Sequence, residues 1–82
     1  MADEKPEITK AFALLILAGY RLTMRETEIF ILLSRGKRNK EIASMLFIDY
    51  KTARTHRARI CKKLNAHSKH ALTEIARRLG LV

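Results

Sequence analysis

The sequence predicts an all-α fold, a four-helix bundle with one additional apolar helix at its N-terminal side. Three observations predict it. Apolar residues recur at offsets of three and four, the helical period, in successive segments. The segments are punctuated by Gly19, Gly36, Asn65 and Gly80, residues suited to ending helices. Strand signals are lacking: there is no Asn-Gly or Asp-Gly hairpin and β-branched residues are sparse.

Residues 1–7 are polar, include the one proline, and are expected to be disordered. Residues 8–20 hold the additional helix, Ile8 to Ala18, with Gly19 as its C-cap. It is apolar around most of its circumference and therefore needs burial. The domain's own core, a twin subunit and an upstream domain all remain open as its partner. Residues 21–82 form the bundle. Thr23 and Glu26 make a T-x-x-E capping box, each side chain satisfying a backbone N–H that the helix start leaves unpaired. Ile29, Phe30, Leu32 and Leu33 give the buried stripe, and Gly36 ends the helix. Asn39 is expected to cap a short third helix with Ile42, Ala43, Met45 and Leu46 facing inward. Phe47-Ile48-Asp49 reads as a tight turn, Ile48 plugging the core and Asp49 capping the next helix. That helix runs from Tyr50 to Leu64. Ala53, Ile60 and Leu64 share its buried edge, while Lys51, Arg54, Thr55 and Lys62 lie opposite, with Arg59 on the flank. Asn65 ends it in the left-handed conformation. Ser68 caps a last helix, Lys69 to Leu79, closed by Gly80.

Eighty-two residues make one domain with a small core, which oligomerisation would help to stabilise. The single Cys61 has no internal partner and fits a reducing compartment. No segment reaches the roughly 20 apolar residues that span a bilayer. Residues 11–18 resemble the core of a signal peptide, but the ten residues before them are net negative where a signal peptide is positive. The expected location is the cytoplasm, without a membrane partner. Catalysis needs acids, bases or nucleophiles converging in a cleft. Glu26 is accounted for as a cap, whereas Glu28, Glu41 and Glu74 are isolated acids expected to pair with bases, so no enzyme is expected. Cys61, His67 and His70 raise the question of zinc, but their spacing fits no standard site and a fourth ligand is lacking. Neither metal nor cofactor is expected, and a chain this short leaves no room for a small-molecule pocket.

Charge is the stronger guide. The formal net charge is +9, yet residues 1–20 carry −1 and residues 21–82 carry +10. Residues 50–63 contain six bases and no acid. Surface charge is ordinarily mixed in sign, so this excess makes a positive field suited to a polyanion. Residues 39–64 have the form of a helix-turn-helix, in which the first helix crosses the phosphate backbone and the second enters the major groove. Ala43 and Ala53 supply the small residues needed where the two helices cross. Tyr50, Lys51, Arg54 and Thr55 fill the end of the second helix that meets base edges, and Lys51 and Lys62 suit phosphate. His56 lies near the buried edge and is read as packed or phosphate-bonded.

Three stretches resemble one known family in order and spacing. Leu22-Thr23-Met24-Arg25-Glu26-Thr27-Glu28-Ile29 is similar to the L-T-x-R-E-x-E-V opening of the LuxR-type (GerE/FixJ-type) helix-turn-helix domains. Gly36-Lys37-Arg38-Asn39-Lys40-Glu41-Ile42-Ala43 resembles their G-x-S-N-K-E-I-A segment. Leu46 to His56 resembles L-x-I-S-x-x-T-V-K-x-H, and Ile60 with Lys63-Leu64 resembles the I-x-x-K-L that closes the recognition helix. The resemblance covers residues 21–82 without a gap. It implies a sequence-specific regulator of transcription on double-stranded DNA, or the effector domain of one. Thr52 and Lys40 fall at phosphate-contacting positions, and Arg54 and Thr55 at base-reading ones. Four departures alter the reading. Ala53 replaces the usual Val. Arg38 stands where Ser is common and adds a phosphate-directed charge. Arg57 takes an often apolar place, its stem packing while its head turns towards the DNA backbone. Ala58 offers a thymine methyl only apolar contact. Tyr50, Arg54, Thr55 and Ala58 are thus the base-reading candidates, and Arg38, Lys40, Lys51, Thr52, Arg59 and Lys62 the phosphate candidates. The resemblance also implies a homodimer paired through the last helix by Leu72, Ile75, Ala76 and Leu79, with half-sites about 10 base pairs apart. RNA polymerase and an upstream sensor domain are the implied protein partners. A protein-interaction module with weak DNA binding is the competing reading.

Overall fold

The computed structural model describes residues 6–82. Five helices follow in order: α1 (Pro6–Leu17), α2 (Met24–Ser34), α3 (Asn39–Leu46), α4 (Tyr50–Leu64) and α5 (Lys69–Arg78). The described residues contain no strand. The expected disordered start falls on residues 1–5, outside the described residues, and on Pro6 and Glu7, which are helical. A proline suits this first turn, because the leading N–H groups of a helix have no intrahelical acceptor.

Helix α2 is the hub. It packs against α1, α4 and α5, while α3 rests on α4 and more lightly on α2. Ile29 and Phe30 of α2 are fully buried and meet Leu15, Ile42, Ile60 and Leu72, so every other helix contributes to one core. The additional helix is therefore part of this domain's interior: Ala11 and Leu15 have no exposed surface. Burying a leucine side chain contributes about 2 kcal/mol. Its other face stays open, with Leu17 82% exposed. No helix among the described residues is long and apolar enough to cross a membrane.

All five helices end in the same way. The backbone N–H groups of Tyr20, Lys37, Ile48, Ala66 and Leu81 donate to the carbonyls of Leu15, Leu32, Ala43, Cys61 and Ala76, each at 2.8–3.0 Å. The residue before each donor has positive φ: Gly19, Gly36, Phe47, Asn65 and Gly80. This is the Schellman arrangement, which satisfies carbonyls left over at a helix end. Four of these stops were expected, whereas Phe47 was read as part of a turn. Its φ of 56° is costly for a bulky side chain, and its ring is 95% exposed, so no packing compensates. Phe47→Asn is expected to raise stability by about 0.5–1 kcal/mol, because asparagine tolerates this conformation. Urea unfolding would check it, and a loss of stability would show that the ring makes a contact of its own.

The helix starts hold one confirmation and one correction. Thr23 Oγ1 accepts from the Glu26 N–H at 3.0 Å while Glu26 Oε1 accepts from the Thr23 N–H at 2.9 Å, completing the expected box. In α3 the cap is Arg38, not Asn39, which is already the first helical residue. Glu41 Oε1 accepts from the Arg38 N–H at 2.8 Å and sets the start one residue earlier than the preference of asparagine suggested. Two expected core residues also move out. Met45 is 49% exposed, and Ile48 is half-buried and outside the core cluster.

Candidate nucleic-acid interface

The α3–turn–α4 unit presents the basic face. Ala43 and Ala53 are buried where α3 rests on α4, as their size suggested. Asp49 occupies the N-cap position of α4, but its carboxylate accepts from Thr52 Oγ1 at 3.3 Å rather than from the helix N–H groups. From there α4 turns Ala53, Ile60, Cys61 and Leu64 inward. Tyr50, Lys51, Thr52, Arg54, Thr55, Ala58, Arg59 and Lys62 are all exposed, as are Arg38 and Lys40 at the start of α3.

Local contacts prepare some of these groups. The Arg54 guanidinium lies over the Tyr50 ring, 5.8 Å from its centre. A cation on an aromatic face is held by the ring quadrupole, so the two side chains restrict one another. Thr55 Oγ1 donates to the Lys51 carbonyl at 3.0 Å, which leaves the hydroxyl free only to accept. Among the described residues, carboxylates pair with Arg25, Arg35, Lys63 and Arg77. Lys51, Arg54, Arg57, Arg59 and Lys62 have no such partner there, so their field is not cancelled locally. Glu28 and Glu74 pair as expected, with Arg25 at 3.4 Å and Arg77 at 3.5 Å.

Lys63 departs from the pattern. Its ammonium reaches Glu26 Oε1 at 2.6 Å, tying the end of α4 to the start of α2 across 37 residues. Glu26 is almost wholly buried. Burial alone would raise its pKa, but the Lys63 hydrogen bond and charge, with the Thr23 bonds, outweigh that and hold it below the ordinary value. Sequence reasoning credited Glu26 only as a cap partner, since nothing local signals a lysine from another helix. Cys61 is likewise buried, at the edge of the stripe set by Ala53, Ile60 and Leu64. His56 is half-buried, as expected at that edge, and its Nδ1 has no hydrogen-bond partner among the described residues. No cluster that would hold a metal occurs among them.

The residues that the resemblance implies for a dimer surface lie along α5 and at its C-cap. Leu72, Ile75 and Ala76 are buried in the core of the single chain, and Leu79 is half-buried against it. Their stripe faces α2, because a small bundle needs all of it to close its interior.

Comparison with known proteins adds to this geometry. Residues 20–76 match the family described as bacterial regulatory proteins, luxR family. The chain is 49% identical over 61 residues to the uncharacterized response regulatory protein YgeK of Escherichia coli, covering 74% of this chain and 42% of that protein. It is 47% identical over 55 residues to the oxygen regulatory protein NreC of Staphylococcus carnosus, covering 67% and 25%. It is 44% identical over 61 residues to the transcriptional regulatory protein LiaR of Bacillus subtilis, covering 74% and 29%. The chain thus spans less than half the length of each of these relatives. No solved structure matches it. Five helices without a strand among the described residues, an exposed basic face on α4 and a family match from residue 20 to residue 76 agree, and the chain belongs to the luxR family of bacterial regulatory proteins, with a helix-turn-helix domain for DNA binding and transcription regulation.

Proposed function

We propose that the domain binds duplex DNA in a sequence-specific manner by laying α4 in the major groove. The observation that carries this reading is the solvent face of α4, where Lys51, Arg54, Arg59 and Lys62 stand without a carboxylate partner among the described residues. Arg54 reads guanine through its planar fork, Thr55 accepts from an exocyclic amino group, and Tyr50 and Ala58 frame that contact. Arg38, Lys40, Lys51, Arg59 and Lys62 hold phosphates and set the register. Thr52 reaches a phosphate only by releasing Asp49, which makes it the weakest of the phosphate contacts.

The domain acts in the cytoplasm as part of a regulator. The relative named as a response regulatory protein supports an upstream sensor or receiver domain as the partner, with RNA polymerase as the second. Two copies would occupy half-sites about 10 base pairs apart. With Leu72, Ile75 and Ala76 in the core, any pairing through α5 uses its exposed positions.

Selection from randomised duplexes tests the reading, and one enriched motif is the expected result. Affinity for it should fall steeply with salt, as several phosphate contacts release several counterions. Lys62→Ala should weaken binding to all sequences alike. An unenriched pool or a flat salt response would overturn the groove-binding mode, and altered base preference in Lys62→Ala would overturn its phosphate role.

A further inference from the structure

A second basic feature lies beside the α4 face. Lys37 and Arg38 of the α2–α3 turn, Arg57 of α4 and Lys69 at the start of α5 line one hollow of about 240 Å³, together with Leu33 and Leu72. No acidic side chain lines it. None of the four cations forms an ion pair among the described residues. The nearby Glu41 is engaged with the Arg38 backbone N–H. The Lys69 ammonium lies over Gly36, 3.8 Å from where a Cβ would stand, so it is directed onto the α2–α3 turn. Positions 37 and 69 are far apart in sequence, and the fold alone brings them together.

Like charges converging on a concave, partly apolar wall raise and focus the local potential. An anion with several acceptor oxygens relieves it best, and a guanidinium fork with ammonium donors matches a phosphate group. Arg57 follows Arg54 by three residues on α4, and Arg38 begins α3, so the hollow adjoins both elements of the proposed DNA interface. We infer that it seats a backbone phosphate of the bound duplex, outside the base pairs that α4 reads, making Lys37 and Lys69 DNA contacts. The inference rests on the proposed DNA-binding reading. It gives the start of α5 a role in holding the duplex.

The test compares the wild-type chain with the Lys37→Ala/Lys69→Ala double variant, by fluorescence anisotropy on the selected duplex over a salt series. Both positions are exposed, and an unchanged unfolding temperature would establish that the fold is retained. The expected result is a log–log salt slope shallower by about 0.9 with the same base preference, equivalent to about eightfold weaker binding than the wild type at 0.1 M where the two bind equally at 1 M. The difference should vanish on a duplex trimmed to the base pairs that α4 covers. Lys69→Glu provides a second variant, with a larger loss expected. A steep wild-type slope left unchanged in the variants overturns this inference alone, whereas absence of salt-dependent binding in the wild type overturns it together with the DNA-binding reading. Inorganic phosphate, titrated without DNA, separates the two sources of the anion. Binding of phosphate that the double variant loses, with no change in the DNA slope, would overturn the assignment to the duplex.

Discussion

Glu26→Ala is expected to destabilise the domain by about 2–3 kcal/mol, since it removes an N-terminal cap and a largely buried charge-assisted hydrogen bond together. The carboxylate accepts from the Thr23 N–H at 2.9 Å and from Lys63 at 2.6 Å, and so joins the start of α2 to the end of α4. For a domain of this size the loss should lower the melting temperature by roughly 10–20 °C. Glu26→Gln keeps an acceptor oxygen for Thr23 and should cost less. The same carboxylate makes stability depend on pH. Its pKa is lowered in the folded state, so its contribution is present above the ordinary carboxylate value and is lost as pH falls through the lowered one. Thermal unfolding across that acid range should show a steeper loss for the wild type than for Glu26→Gln. Parallel curves would refute the assigned role of the charge. A Glu26–Lys63 double-mutant cycle should return a clear coupling energy, because the two groups touch.

Arg54→Ala is expected to remove most of the base preference, weakening binding to the selected duplex about 10- to 100-fold, in line with a bidentate contact worth ~1–3 kcal/mol of discrimination. Binding to arbitrary duplex should fall much less, because the remaining cations still face phosphates. Stability should hardly change, since Arg54 is exposed and its contact with Tyr50 is a surface one. Arg54→Lys keeps the charge but not the fork, and should recover affinity without recovering preference. Competition binding with the selected and scrambled duplexes reads both quantities. Equal losses on the two would make Arg54 a phosphate contact. No loss on either would favour the competing reading, in which the module chiefly binds proteins.

The elements were legible because their signals are local. Thr23 with Glu26 announces α2, Ser68 announces α5, and Gly19, Gly36, Asn65 and Gly80 mark four of the five ends. The exposed face of α4 follows from its period, as do Ala53, Ile60 and Leu64 beneath it. What escaped is set by other parts of the chain. Lys63 reads as one more base in a basic run until α2 places Glu26 beside it. Leu72, Ile75 and Ala76 form a stripe suited both to a core and to a subunit interface, and the core role becomes visible once α2 is packed over it. Arg38 displaced Asn39 as the cap because Glu41, three residues on, reaches back to its N–H. Lys37 and Lys69 share a hollow for a reason no short window contains.

The uniform helix stops have a consequence for how the chain finds its shape. Each reverses direction at once, so only three to six residues separate one helix from the next. Three of the five main helix pairings, α1 with α2, α2 with α3 and α3 with α4, thus join neighbours along the polypeptide, and little entropy is lost in bringing those together. Helical domains with such local wiring assemble on the order of microseconds to milliseconds. In a module that re-closes faster than a protease cuts, proteolysis follows how much of the time it stands open rather than how fast it opens.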